Sequence, residues 1–285
     1  MFRQRVIMAI GEAILRELPD RDTPVGLAVE IPQYAVAAGH KGVAITRLGQ
    51  DPAGDRLVEL LRESGVAVEH VQRDPDLATA REVSRRGELI RPRDSEILAF
   101  DNLQWDFDLV DAGQIADAVV FGAFAMRTGQ ARSTIDRFLS ECTLAFRLAN
   151  LATGNPEHVT RESVEACLRG ADVVLADAVV LKLAQPSIDP ADWDDAAARL
   201  LKRYDLRAVV VRDAGLPWRA VTTAGVAEGP PASDADRPEA GVIGLLHGML
   251  AGWSDADTLA LAARLDAHAG GDEIPPAWLA TPGSA

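Results

Sequence analysis

The sequence predicts an α/β fold with a small β-flap laid over its main sheet. Three observations predict it. Residues 42–46 read as a buried strand, residues 51–54 as a turn, residues 55–64 as an amphipathic helix stopped by Gly65, and residues 66–68 as a second strand. A strand, a helix and a strand within so short a stretch mark an α/β sheet. The same alternation resumes after Asp108 and continues toward the C-terminus. Between them, residues 72–108 set single apolar residues among charged ones, which suits exposed antiparallel strands covered on one face.

Composition narrows the function. The chain has 285 residues, 48% of them hydrophobic and 25% charged, as in an ordinary globular protein with room for one large domain. A net charge of -14 argues against nucleic acid or an anionic membrane as partner, since both require a basic face. Cys142 and Cys167 lack metal-ligand spacing and read as buried small hydrophobes, which fits a reduced, cytoplasmic setting. The apolar run at the N-terminus is broken by Gly11 and Glu12 and reads as a first strand, not a signal peptide. No stretch is long and apolar enough to span a bilayer.

In order, residues 6–10 form a first strand, residues 16–25 a turn-rich polar segment, and residues 31–38 a helix stopped by Gly39. In the flap, Arg81, Arg85, Arg86, Arg91 and Arg93 form the one basic patch, read as a charge-protected edge strand in preference to an anion site. Then follow a strand at 118–121, a helix at 132–142, a strand at 144–148, a helix at 160–169 opened by Thr160, and a strand at 173–175. A helix from Asp189 to Arg203 precedes a strand at 207–212, β-branched enough to be buried on both faces. Residues 214–217 turn into a strand at 218–223, and a last helix covers 255–265, started by Ser254 or Asp255. The Gly- and Pro-rich tail is expected to wrap or fray.

The chain is organised around residues 225–253. A polar acidic loop to Glu239 gives way without a spacer to a stretch apolar on every side, which predicts a central helix buried all round. Gly241, Gly244, Gly248 and Gly252 each cost about 1 kcal/mol in a helix relative to Ala, which points to close approach by a neighbour. For the last three, tight helix packing is the preferred reading. The start of such a helix is a natural anion site. Here Asp234, Asp236 and Glu239 surround it with only Arg237 in opposition, and Pro238 removes one N–H. His247, inside this helix, reads as a hydrogen-bonded core histidine, and the five histidines show neither triad nor metal spacing.

The order of elements resembles the ribokinase, or phosphofructokinase-B (PfkB), carbohydrate kinases over roughly residues 6–268. Residues 41–80 are similar to that family's strand, Gly-Asp-x-x-Gly turn, helix and Gly-Val; Gly11-Glu12-Ala13 resembles its opening, and residues 205–221 with the loop and helix beyond resemble its nucleotide-binding half. The resemblance implies a ribokinase-like α/β fold: a mainly parallel central sheet flanked by helices, with a small β-lid over a sugar and ATP across the sheet's C-terminal edge. One domain over residues 1–285 is expected, its lid drawn from about residues 12–30 and 72–108.

The family's catalytic motif, Gly-Ala-Gly-Asp at the start of the central helix, aligns with Asp236-Arg237-Pro238-Glu239. Glu239 would stand for the base, one methylene longer, while both glycines of the anion hole, which Gly241 borders, are gone. The family's sugar-contacting Asp stands here as Arg16, its Gly-Gly and following Asn as Val25-Gly26 and Glu30, and its Asn-x-x-Glu as Ala176-Asp177-Ala178-Val179. In the nucleotide loop Gly215 matches while an earlier Gly is Arg212. The expectation is a pseudoenzyme that binds a small polar ligand or a protein partner in the old cleft; Arg16 and Arg212 would suit an anionic metabolite. The alternative is an atypical sugar or nucleoside kinase, with ATP and Mg2+ as cofactors, Glu239 as base and Arg237 as phosphate clamp. A purely structural subunit would instead form an oligomer, a homodimer through the lid. No metal site is expected outside the kinase alternative.

Overall fold

The computed structural model describes residues 3–86, 88–92, 96–152, 160–186, 192–233, 239–268 and 274–282. Nine strands form the main sheet: β1 (Val6–Ile10), β4 (Lys41–Gly49), β5 (Ala67–Asp74), β8 (Ala118–Gly122), β9 (Phe146–Asn150), β10 (Val173–Ala176), β11 (Ala208–Val211), β12 (Pro217–Thr222) and β13 (Gly225–Pro231). Their order is β13-β12-β11-β10-β9-β8-β1-β4-β5, parallel from β11 to β5 and antiparallel at β12 and β13. β8, β10 and β11 are buried at every residue, as the centre of a parallel sheet covered on both faces requires.

Helices cover the two faces. Met8 and Ile10 face a core shared with α3 (Asp108–Ile115), α4 (Gly129–Glu141), α5 (Arg161–Gly170), α6 (Ala178–Ala184) and α7 (Trp193–Tyr204). Ile7 and Ala9 face the other, shared with α1 (Leu27–Ala37), α8 (Glu239–Ala251) and α9 (Asp255–Asp266). α2 (Pro52–Glu63) packs near the β4 edge. Asp51 caps α2 and Pro52 is its first residue, so the expected turn at 51–54 is the helix's own start. Thr160 and Ser254 cap α5 and α9 as expected.

Several expectations are corrected. The polar segment at 16–25 is a hairpin, β2 (Ile14–Glu17) and β3 (Asp22–Val25), and it joins β6 (Ala80–Arg85) and β7 (Glu88–Ile90) in a second sheet of order β3-β2-β6-β7. The stretch 72–108 is not uniformly antiparallel: its first residues finish β5 in the main sheet, and β6 lies parallel to β2. Glu17 pairs with Arg81 on one face of this sheet, and the buried Glu82 pairs with Arg91 on the other. Arg93 lies outside the described residues. β9 starts two residues later than expected, leaving Leu144 exposed. α3 and α6 were not anticipated: both are short, and α6 is a nearly continuous apolar run that periodicity cannot tell from a strand. The expected helix start at Asp189 lies outside the described residues, and α7 is described from Trp193. The first half of the supposed loop at 225–239 is β13, whose Gly and Pro residues are tolerated because it is the sheet's edge.

α8 is buried from Ala240 through Gly248. A Cβ at Gly244 would stand 2.6 Å from Ala262 Cα, where α8 and α9 touch backbone to backbone, and one at Gly248 would stand 2.4 Å from Thr258 Oγ1, where the Thr258 side chain packs on the α8 backbone. Gly252 differs from that expectation: nothing lies within 4 Å, and its φ of +72° ends the helix in the left-handed region.

At the far end of α8, His247 is a hydrogen-bonded core histidine. The Arg5 N–H donates to His40 Nδ1 at 3.3 Å, which leaves the proton on His40 Nε2 to donate to His247 Nδ1 at 3.3 Å; His247 Nε2 then donates to the Leu279 carbonyl at 3.1 Å. This chain ties the tail to the body. Burial, then His247 and Arg5, lower the His40 pKa to about 4, against Asp117.

Two outcomes follow from this packing. Gly244→Ala should destabilise by roughly 2–3 kcal/mol in urea unfolding, while Gly129→Ala, in open space at the start of α4, should be neutral or stabilising. Because His40 binds its proton less tightly folded than unfolded, its contribution to stability should be full above about pH 6.5 and be lost as pH drops toward 4. A series of melting temperatures across that window should be flatter in His40→Gln.

Candidate functional site

The C-terminal edge of the parallel strands carries the candidate site. β1 ends at Ile10, and the chain runs through Gly11 and Glu12 to the lid before returning at Gly26 to start α1. Gly26 has φ +107°, and a Cβ there would stand 2.7 Å from the Glu12 carbonyl, so only glycine fits. A helix start exposes amide donors that need partners. Here Gly26 N–H donates to Glu30 Oε2 at 3.0 Å, Leu27 N–H to Glu12 Oε1 at 3.1 Å, and Ala28 N–H to the Glu12 carbonyl at 3.1 Å. Two glutamates therefore fill the anion-binding end of α1.

Glu239, the first residue of α8, faces the same place. Its pKa is pushed up to about 8 by burial and then by Glu30 and Glu12, against its own backbone N–H and Arg212. The Glu12 carboxyl is pushed up to about 7, chiefly by burial with Glu30 adding to it, against backbone donors and Arg127. Neither cation is uncommitted. Arg127 Nε donates to Asp101 Oδ1 at 2.7 Å, and Arg212 binds Asp266 at 3.0 and 3.1 Å and the Ser233 carbonyl at 3.3 Å.

The other sequence-predicted residues are spread around this edge. Arg16 lies on β2 of the lid and pairs with Glu82 at 2.6 Å. Gly215 forms the β11–β12 turn with φ +71°, its N–H donating to the Ala232 carbonyl. Gly241 packs on Trp218, whose ring would stand 2.8 Å from a Cβ there, so it serves the α8 packing. Asp177 caps α6 by accepting from Val180 N–H, and its pKa is raised by burial and by Asp213. Asp236, Arg237 and Pro238 lie outside the described residues.

Two residues escaped the sequence reading as site members. Glu12 stood in the Gly11-Glu12-Ala13 opening, and an acidic residue directly after a buried strand was the signal for it. Asn150 ends β9 between Leu148 and Ala152, both in the core that α1 and α8 cover, so its side chain shares that face. It is 2% exposed. A groove of about 1400 Å3 runs along the outer side of α1, past Tyr34 and His40 to Leu279, and reaches this edge only at Glu30.

No protein-family profile matches the chain, and no curated protein matches it in sequence. Solved structures do match. A 2-dehydro-3-deoxygluconokinase from Thermotoga maritima superposes with a TM-score of 0.79 at 14% identity, covering 97% of each chain. The chain has the ribokinase-like fold of the PfkB sugar kinases. A PfkB protein from Polaromonas sp. JS666 gives a TM-score of 0.76 at 16% identity over 97% of this chain and 99% of its own. A fructokinase with bound ATP from Xylella fastidiosa gives 0.75 at 20%, over 98% and 96%. On this ribokinase-like frame, no three His, Cys, Asp or Glu among the described residues are grouped to hold a metal ion. No described helix is long and apolar enough to cross a membrane.

The raised carboxyls set a sign for stability. Glu239 keeps its proton in the folded chain to about pH 8 but loses it near 4.5 when unfolded, so its contribution is complete at low pH and is lost as pH rises between those values. Glu239→Gln should therefore raise the melting temperature by a few degrees at pH 8.5, corresponding to roughly 1–2 kcal/mol, and change it little at pH 4.5. A differential scanning measurement at both values checks this.

Proposed function

We propose that this protein is a ligand-binding or regulatory relative of the sugar kinases in which phosphotransfer from ATP is lost or strongly weakened. The observation that carries the reading is the setting of Glu239: burial, with Glu30 and then Glu12 adding to it, pushes its carboxyl up to about 8. A base must be ionised to take a proton from a hydroxyl. A polyphosphate must be met by donors and cations, and missing donors of that kind cost about 3 kcal/mol each. At this edge the amides of α1 are bonded to the chain's own glutamates, and Arg212 is bonded to Asp266. Asp177 and Asp213 add negative charge on the side where the fold would place a nucleotide. ATP with Mg2+ does not fit these residues.

The edge instead favours a small polar ligand, met by carboxyls and an amide. An anionic metabolite held by Arg16 and Arg212 is the weaker version, since each arginine already has a carboxylate partner. The kinase alternative keeps one point in its favour, because a carboxyl with a pKa near 8 is poised for proton transfer close to neutral pH. ATP-dependent phosphorylation across a panel of sugars and nucleosides separates the two. The expected result is no turnover and no melting shift with ATP and Mg2+; turnover abolished by Glu239→Gln would overturn the reading.

A further inference from the structure

We propose that the groove along the outer side of α1 is a second ligand site, built for a small aromatic carboxylate whose head meets Arg3 and Arg5. Its apolar end lies at the N-terminal edge of the sheet, where Arg5 precedes β1 and His40 precedes β4. The inference therefore does not rest on the reading of the C-terminal edge.

Shape is the first argument. The groove has a volume of about 1400 Å3, more than the roughly 300–1,000 Å3 of a common small-molecule cleft. Its floor is one row of α1: Glu30, Gln33, Tyr34 and Ala37 recur at helical spacing and span about 10 Å. Gln33 Nε2 donates to Ser64 Oγ at 3.2 Å, which sets the end of α2 beside this row. Opposite stand the end of α8 and the tail, fastened together by the bond from His247 to the Leu279 carbonyl.

The two ends of the groove differ in chemistry. Toward the lid it is lined by Arg21, Asp22, Thr23 and Glu30. Toward the far end of α1 the lining is Ala37, Leu250, Trp253, Ile274 and Leu279, all part of the core beneath or packed on it, so an apolar body placed there extends an existing apolar surface. Trp253 meets the His247 ring edge to face, with centroids 5.2 Å apart. Flat rings of this kind favour an aromatic body over a flexible polar one.

Charge sets the head group. Arg3 and Arg5 line the apolar end, and both reach the single carboxylate of Asp117, at 3.8 and 2.9 Å. Asp117 also accepts from the Val6 N–H at 2.8 Å, so it serves three donors. Arg5 donates to the Leu250 carbonyl at 3.1 Å, which holds its guanidinium against the apolar wall, while the Arg3 side chain is 76% exposed. His40 and His247 add no charge at pH 7, because burial lowers both pKa values. Two guanidiniums against one carboxylate leave a surplus of one positive charge, which matches a monoanion, and a carboxylate can take paired bonds from a guanidinium. At the lid end the carboxylates are engaged: Glu30 accepts from the Gly26 N–H, and Asp22 stands 3.5 Å from Arg56. A chain of net charge -14 repels anions in general, so a preference for one must arise locally.

Titration calorimetry of the full chain at pH 7 and low ionic strength with 1-naphthaleneacetate and 4-phenylbutyrate tests this, each against its own amide. At least one acid should bind at least ten-fold more tightly than its amide. Its binding should weaken at least three-fold in Arg3→Gln and at least ten-fold in Ala251→Glu, which sets a carboxylate on the exposed last residue of α8 within the groove. Both positions are exposed, so both variants should keep the melting temperature of the parent; Ala37→Glu replaces either one that does not. Glu239→Gln should leave the affinity unchanged. No binding of either acid, equal binding of the amides, or indifference to the groove variants would overturn the inference, as would loss of binding in Glu239→Gln, which would move the ligand to the C-terminal edge. The sugar-kinase assay bears on the pseudoenzyme reading alone, so the two proposals fail separately.

Discussion

Two glutamates at the start of α1 set the character of this protein. A helix that begins at the C-terminal edge of a parallel sheet presents amide donors and a positive dipole end to whatever lies above that edge. In this chain Glu12 and Glu30 accept those donors, and Gly26 adopts a conformation open only to glycine so that both carboxyls can reach them. Such side-chain caps are worth about 1 kcal/mol apiece. Their larger effect is on the neighbour: with both carboxyls in place, Glu239 at the start of α8 keeps its proton. At the start of α1 the amides are met by the chain's own carboxyls.

The frame around that edge is conventional and tightly made. Gly244 brings α8 into backbone contact with α9, Gly248 makes room for the Thr258 side chain, and Gly241 seats the helix on Trp218. These contacts fix where α8 begins and hence where Glu239 stands. At its other end the Arg5–His40–His247–Leu279 chain joins the first strand, α8 and the tail. α8 is thus held along its length by close packing and at its end by a polar chain, a rigid mount for the site.

Much of this was legible in the sequence, for identifiable reasons. The helix around His247 announced itself because it is apolar on every side, and strands such as β11 because they are β-branched throughout. Thr160 and Ser254 marked helix starts by local chemistry alone. What escaped depended on partners distant in the chain. β13 reads as a loop because Gly and Pro dominate it, and becomes a strand only when β12 pairs with it at the sheet edge. β2 and β3 likewise need β6 to make a sheet. At the site, Glu239, Gly26 and Glu30 were legible as residues that stand out. That Glu30 caps Gly26 and presses on Glu239 was not, since Glu239 lies far along the chain from both. Asn150 carried no signal in sequence, because its importance lies in being buried without a partner.

The likeness to sugar kinases and the chemistry of the edge therefore answer different questions. The strand order, the helices on both faces and the second sheet follow from packing, which tolerates wide sequence change as long as volume and pattern persist. The edge answers to charge, and charge is far less forgiving: one carboxyl added beside another in a dry place alters the protonation of both. A chain can keep every strand of the ribokinase-like frame while carrying Glu12, Glu30 and Glu239 near the C-terminal edge of its sheet. The frame supplies the location of that edge, and the side chains it carries set the charge there.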